Sequence, residues 1–337
     1  KTLYLNINYF LKFMRAIIPV AGVGSRLRPH TYTLPKVLLN VAGKPIIGHI
    51  MDKIIEEGIN DATIIVGYLG EKIEKYIKEN YSINVNFVYQ EERKGLAHSI
   101  SIAQHTFNDE PILIILGDTI FDVDLRHFCD SDYSVIGVKE VDNPRRFGVA
   151  EIDGRFVTRL IEKPENPTTK LALVGLYYIK NSSLLKSCLA QLMDQKIKTK
   201  GEYQLTDALQ LMVEKGEKIA TFKVDGWYDC GKSETLLSTN RYLLDKKSTH
   251  RKITDVVIIP PVYISPTCEI TKSVIGPYAT ISDGAKISES VIRNSIIGDD
   301  AKVSRVLLED SLIGNNSIVG GSYKRVNAGD SSEIEFI

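Results

Sequence analysis

A Rossmann-like α/β domain with a mixed sheet, followed by a left-handed parallel β-helix, is the fold predicted from three features of this 337-residue chain. An apolar run at 16–21 leads straight into a glycine-bearing loop. Short β-branched runs then alternate with amphipathic segments, the pattern of strands covered on both faces by helices. From Pro260 onward, isoleucine and valine recur in steps of five or six residues, as in I-G-P-Y-A-T, I-S-D-G-A-K, I-G-D-D-A-K and I-G-N-N-S-I. That is the hexapeptide repeat of a β-helix, in which each short strand turns one apolar residue inward and stacked coils make the core. The repeats read as about five coils.

In chain order, 16–21 is short enough for a buried strand. Ala21, Gly22, Gly24 and Ser25 follow. Without a Cβ, glycine lets backbone N–H groups approach a ligand, and oriented N–H groups form a concave anion site. Arg26 adds a planar fork of donors suited to phosphate oxygens, and Lys36 a point charge. Together they read as a cradle for a nucleoside triphosphate. The loop is no Walker A sequence, and Leu27 stands where a dinucleotide fingerprint needs its third glycine. Residues 44–57 carry Ile46, Ile47, Ile50 and Ile54 at helical spacing and stop at Gly58. Strands are predicted at 62–66, 85–89 and 112–116, and helices at 71–80, 95–107 and 234–247. In such a sheet, ligands sit beyond the carboxyl ends of the strands. Asp118 falls there; alone it would be a turn residue, yet a hard carboxylate in that place also suits Mg²⁺. Gln90 offers a donor and acceptors to a base edge, while 91–94 read as a solvated charged loop.

Lysine plus arginine balance aspartate plus glutamate at 42 each, so no nucleic-acid or membrane surface is expected. Four cysteines (Cys129, Cys188, Cys230, Cys268) lie far apart with no C-x-x-C, which fits a reducing, cytoplasmic setting. No apolar run approaches the ~20 residues of a membrane span. Asn6 and Asn8 interrupt the opening run, so a secretory signal is not expected. Residues 1–13 are expected to be a non-native or poorly ordered extension, with Met14 the natural start. The expected domains are 14–246, a linker at 247–259, and a hexapeptide-repeat domain at 260–337.

The string G-V-G-S-R-L-R-P-H-T, followed by L-P-K and G-K-P, resembles the signature of sugar-1-phosphate nucleotidyltransferases. Overall the chain is most similar to the long thymidylyltransferase type, which carries a C-terminal hexapeptide-repeat β-helix. It departs from the usual pattern at Val23, commonly glycine, and Ser25, commonly threonine. The resemblance implies that L-G-D-T-I-F and G-W-Y-D-C-G supply two Mg²⁺ ligands, Asp118 and Asp229. It implies that Gln90 and Gly95 contact the base, and that Gly148, Glu162, Gly175 and Tyr177 contact the sugar. Lys163 of E-K-P would neutralise the sugar phosphate. Lys200 falls where relatives often place arginine, with the loss of a bidentate phosphate contact.

The activity implied is transfer of a nucleotide from an NTP to a sugar 1-phosphate, giving an NDP-sugar and pyrophosphate. Asp118 would also act on the nucleotide side, and Arg26, Lys36 and Lys163 would carry the catalytic charge. dTTP or UTP with glucose 1-phosphate is favoured; mannose-1-phosphate guanylyl transfer, or a non-catalytic regulatory relative, is the alternative. The β-helix is expected to be structural, because no histidine follows His250 to serve an acyl transfer. It is expected to make a homo-oligomer through 260–320.

Overall fold

The computed structural model describes residues 14–249 and 251–322. The expectations about 1–13 and the end of the repeat domain fall outside those residues. The chain divides into two units: one holds Lys44–Thr239 and the described residues up to Leu39, the other Asn40–Gly43 and the described residues from Asn240 onward.

The first unit is built on a nine-stranded sheet. Its strands are β1 (Arg15–Pro19), β2 (Asp61–Val66), β3 (Asn84–Tyr89) and β4 (Ile112–Ile115), then β6 (Ser134–Glu140), β7 (Gly148–Asp153), β8 (Phe156–Glu162), β9 (Leu171–Ile179) and β10 (Ile219–Lys223). Between them in sequence, β5 (Thr119–Asp122) pairs outside the sheet with β11 (Gly226–Asp229). The sheet order is β3-β2-β1-β4-β9-β6-β10-β8-β7. β1, β2, β3 and β4 are parallel, whereas β9 runs antiparallel to both β4 and β6. The expected mixed sheet is therefore present, with its parallel half at the N-terminal end of the chain.

Two cores explain the apolar runs. Along β1, Ile17 and Ile18 are both fully buried but join different clusters, one on each face of the sheet. Ile64 and Ile65 divide in the same way, as do Leu113 and Ile114, which is the period of two expected of strands. Covering one face, helix Ile46–Glu56 buries Ile47, Ile50, Met51 and Ile54. It starts after Pro45 and ends at Gly58, whose φ of 90° suits glycine. Truncating Ile54 to alanine there would cost about 2–5 kcal/mol. The helix predicted at 95–107 is shorter, Leu96–Ala103, and tightens into a 3₁₀ turn at Gln104–Thr106.

The second unit holds three four-stranded parallel sheets. Successive strands such as Val262–Ile264, Ala279–Ile281, Ile296–Ile297 and Leu312–Ile313 stack in register, and each coil gives one strand to every sheet. This is consistent with the predicted β-helix, with four strands per sheet where the repeats suggested about five coils. Val262, Ile264, Ile275, Ile281, Ile287, Ile292, Ile297 and Val303 share its buried core. Strand Val256–Ile258 already pairs with Ser273–Ile275, so the sheets begin inside 247–259. The segment Asn40–Gly43 groups with this unit, with the Ala42 N–H donating to Asn240 Oδ1 at 2.8 Å. Among the described residues, no helix is long and apolar enough to cross a membrane.

Candidate active site

β1 and β4 are neighbours, yet β2 continues the sheet from β1 on one side and β9 from β4 on the other. At this switch point the chain after β1 and the chain after β4 diverge and leave a crevice beyond the strand ends. A cavity of about 540 Å³ opens there, and Ala21, Gly22, Lys36, Gln90, Gly95 and Asp118 all line it. A Cβ on Gly22 would meet nothing within 4 Å, so its backbone faces open space. Gly24 is different. Its φ is 64°, and a Cβ would come within 2.9 Å of both Lys36 Cβ and Thr31 Cγ2. Thr31 Oγ1 also donates to the Gly24 carbonyl at 2.8 Å. The loop is thus strapped down beside Lys36. Ser25 and Arg26 lie in the exposed 3₁₀ turn Ser25–Leu27.

Lys36 reaches Asp118, with Nζ 2.6 Å from Oδ2. Asp118 and Asp229 are brought together by the β5–β11 ribbon, which pairs Asp229 with Thr119 and lets the Cys230 N–H donate to the Asp118 carbonyl at 2.9 Å. Burial pushes the Asp118 carboxyl upward, but the Lys36 ammonium, its own backbone N–H and Arg26 outweigh that and hold its pKa below the ordinary carboxylate value. Asp229 goes the other way. Burial and the nearby Asp118 charge raise its pKa, against the opposing Gly231 N–H, Arg26 and Lys36. Gly231 explains the close fit: a Cβ there would stand 2.8 Å from an Arg26 guanidinium nitrogen and 2.8 Å from Asp229 Oδ1. One cationic and one anionic pair therefore meet at one edge of the loop. Among the described residues no group of three candidate metal ligands occurs.

A second cluster forms around Glu162. β7 and β8 pair Gly148 with Glu162. Glu162 Oε2 accepts from Thr206 Oγ1 at 2.7 Å, and Oε1 lies 3.2 Å from Lys163 Nζ. A Cβ on Gly148 would crowd Glu162 Oε2 and Thr206 Oγ1, each at 2.9 Å, so glycine is what lets them meet. Lys163 sits at φ 44°, fixed by its N–H donating to the Phe147 carbonyl at 3.0 Å. Tyr177 is buried, and burial together with the Glu162 charge raises its phenol pKa. Gly175 has φ 86°, and a Cβ there would meet Leu116 Cδ1 at 2.7 Å. Its glycine therefore seats Leu116, itself on the cavity wall. Lys200 lies in an exposed ion pair with Glu165 at 3.1 Å. Gly24, Ser25, Arg26, Asp229 and the Glu162 cluster are not among the residues lining the 540 Å³ cavity.

Residues 15–246 match the family described as nucleotidyl transferase. The chain belongs to this family. It is similar to the bifunctional protein GlmU of Methanocaldococcus jannaschii, 40% identical over 241 residues that cover 71% of this chain and 56% of the relative. The chain thus spans little more than half of that relative's length. It is 30% identical to a glucose-1-phosphate thymidylyltransferase of Streptomyces antibioticus over 84% of this chain and 87% of the relative. A solved structure of UDP-glucose pyrophosphorylase complexed with UDP-glucose superposes with a TM-score of 0.62 at 25% identity, over 69% of this chain and 99% of that one.

Several residues on these walls escaped the sequence reading. Residues 91–94 are all exposed, as the solvated-loop reading expects, and Arg93 among them borders the cavity. Glu202, also on the wall, follows Lys200 and Gly201 and was reachable from that string. Away from the cavity, Thr206 carried no signal of its own, whereas Gly231 closes the G-W-Y-D-C-G string without a role assigned to it.

Proposed function

We propose that the protein transfers a nucleotide from dTTP or UTP to glucose 1-phosphate, releasing pyrophosphate. The observation that carries this reading is the meeting of Lys36, Asp118, Asp229 and Arg26 at the mouth of a strapped glycine loop. A phosphate chain laid along Gly22 would meet backbone N–H groups of the loop, and Lys36 and Arg26 would bind its negative charge. The in-line attack of a sugar-phosphate oxygen on the α-phosphorus needs little covalent help; positioning and charge stabilisation dominate. Lys163 would orient the attacking phosphate, and Glu162, held by Thr206, would accept sugar hydroxyls.

Two neighbouring carboxylates, one with its pKa raised by burial and by the charge of the other, fit a hard divalent cation. Asp118 and Asp229 would hold Mg²⁺, which supplies charge neutralisation on the polyphosphate. A pyrimidine is supported by Gln90 and Gly95 on the cavity wall and by the thymidylyl- and uridylyl-type names of the proteins this chain resembles. The second unit is read as an oligomerisation module. Val257, Val274, Val291 and Leu307 stand at one register position of a single sheet, and Val257 and Leu307 are exposed.

The test is pyrophosphate release from each common NTP crossed with glucose, galactose, mannose and N-acetylglucosamine 1-phosphates. The largest kcat/KM is expected with dTTP or UTP and glucose 1-phosphate. Dominance of GTP with mannose 1-phosphate would overturn the substrate reading, and release with no pair would overturn the activity.

A further inference from the structure

Gln90 is 6% exposed, and its side-chain amide could be seated in either of two ways. They differ in which atom, the oxygen or the NH₂, is left for a ligand. Two neighbours decide. Gln90 Nε2 lies 3.4 Å from the Gly95 carbonyl oxygen and 3.0 Å from His98 Nδ1. The carbonyl can only accept, so Nε2 belongs beside it. Its second proton then points to the imidazole, and Nδ1 must be bare, with the ring proton on the other nitrogen. Among the described residues no hydrogen bond uses Gln90 Oε1, and Gln90 lines the cavity.

The carbonyl is itself immobile. Gly95 has φ 112°, and a Cβ there would stand 2.4 Å from the Tyr203 carbonyl oxygen. The Tyr203 N–H donates to the Lys94 carbonyl at 2.8 Å, and the Ala97 N–H to the Tyr203 carbonyl at 3.0 Å. His98 is the third residue of the helix that starts at Leu96, within its first turn. The amide of Gln90 is therefore gripped by a backbone group and a ring, both on framework elements.

We propose that His98 sets base choice by holding the Gln90 amide with its oxygen free. That oxygen then accepts from N3–H of uracil or thymine and repels cytosine, whose N3 is an acceptor. The inference rests on the pyrimidine reading above. Burial lowers the His98 pKa from its ordinary 6.5; Lys94 lowers it further, and Glu92 opposes. Lys94 and Glu92 pair with each other at the loop, and Arg93 and Glu202 are the other charges on that wall beside Lys36 and Asp118. The bare Nδ1 is present above that lowered pKa. Acid puts a proton on it, turns it from acceptor to donor, and favours the flipped amide.

The experiment compares kcat/KM for UTP and CTP, with glucose 1-phosphate, in the full-length protein and in His98→Leu and His98→Asn, from about pH 5 to about pH 8. Asparagine keeps an acceptor near the Nδ1 position at every pH. His98→Leu is expected to narrow the UTP:CTP ratio about tenfold, the worth of roughly one hydrogen bond, chiefly through KM for UTP. His98→Asn should restore the ratio to within about threefold. The wild-type ratio should fall in acid, and the His98→Asn ratio should not. If the leucine variant does not fold, the wild-type and asparagine pH series still decide. An unchanged ratio in His98→Leu, or the same acid fall in wild type and His98→Asn, overturns the proposal while leaving pyrimidine use intact. A wild type that turns over only purine nucleotides overturns the underlying reading, and this inference with it.

Discussion

Lys36→Met keeps the length of the side chain and removes the ammonium. In the native protein that ammonium is 2.6 Å from Asp118, and the two side chains are 12% and 31% exposed. Removing one partner of a buried pair costs about 3–5 kcal/mol, most of it the penalty of the charge left behind. Asp118 keeps some contact with solvent, which screens that penalty, so about 2 kcal/mol is the expected loss. For a unit of this size, each kcal/mol lowers Tm by about 2–4 °C, giving a fall of about 4–8 °C. Because the cost lies in the orphaned carboxylate, Lys36→Met/Asp118→Asn should regain most of the lost stability, a coupling that a double-mutant cycle reads directly. Turnover should not return. Loss of a charge aimed at the reacting phosphates is expected to lower kcat about 10²–10³-fold in both variants. The assays are thermal melts and pyrophosphate release. A double variant that melts no higher than Lys36→Met refutes the stability argument, and a Lys36→Met kcat within about threefold of wild type refutes the catalytic one.

Asp229→Asn should lower kcat by about 10² or more in a folded protein, and chelation of divalent cations should abolish pyrophosphate release; activity surviving in EDTA would remove the metal role from Asp118 and Asp229. Arg26→Ala should lower kcat more than it raises KM for the nucleotide, and a change confined to KM would make Arg26 a binding residue only. Gly95→Ala would push a methyl to 2.4 Å from the Tyr203 carbonyl at a φ of 112°. It should therefore destabilise by about 1–3 kcal/mol, whereas Gly22→Ala, with nothing within 4 Å, should leave the melt unchanged and raise nucleotide KM. Leu307→Asp, at a residue 65% exposed, should lower the molar mass seen by light scattering, and an unchanged mass would take that sheet out of the assembly.

What the sequence disclosed depended on how local the signal was. The apolar runs of β1, β2 and β4, and the helix periodicity after Pro45, are short-range patterns, and they appear in the structure within a few residues. The repeat from 260 onward was legible for the same reason, since each coil repeats its own pattern. The half of the sheet beyond β4, where parallel and antiparallel pairs mix, was not legible. β10 slots between β6 and β8, strands more than fifty residues upstream, and no local pattern encodes that partner choice. Of the site, the glycine loop and Lys36 were readable as one string, Asp118 was read as a ligand through its own L-G-D-T-I-F resemblance, and Gly22, Lys36 and Asp118 do line one cavity. The meeting of Asp118 with Asp229 was carried only by resemblance, because it depends on the β5–β11 pairing. His98 drew no notice, since a histidine on a helix declares nothing until the amide beside it is seen.

The β5–β11 ribbon also sets an order of events during synthesis. The cradle, Lys36, Gln90 and Asp118 all fall at or before position 118, and the strands that carry them belong to one contiguous parallel run of the sheet. Asp229 emerges more than a hundred residues later, on one of the last elements of its unit. On the proposed function, a nascent chain on the ribosome can form the strands flanking the glycine loop well before it can bring the second carboxylate to it. The step that completes the acidic pair is a long-range closure, slow relative to the local pairing that precedes it. On that function, unfinished chains would carry half a site, the loop and Asp118 without Asp229.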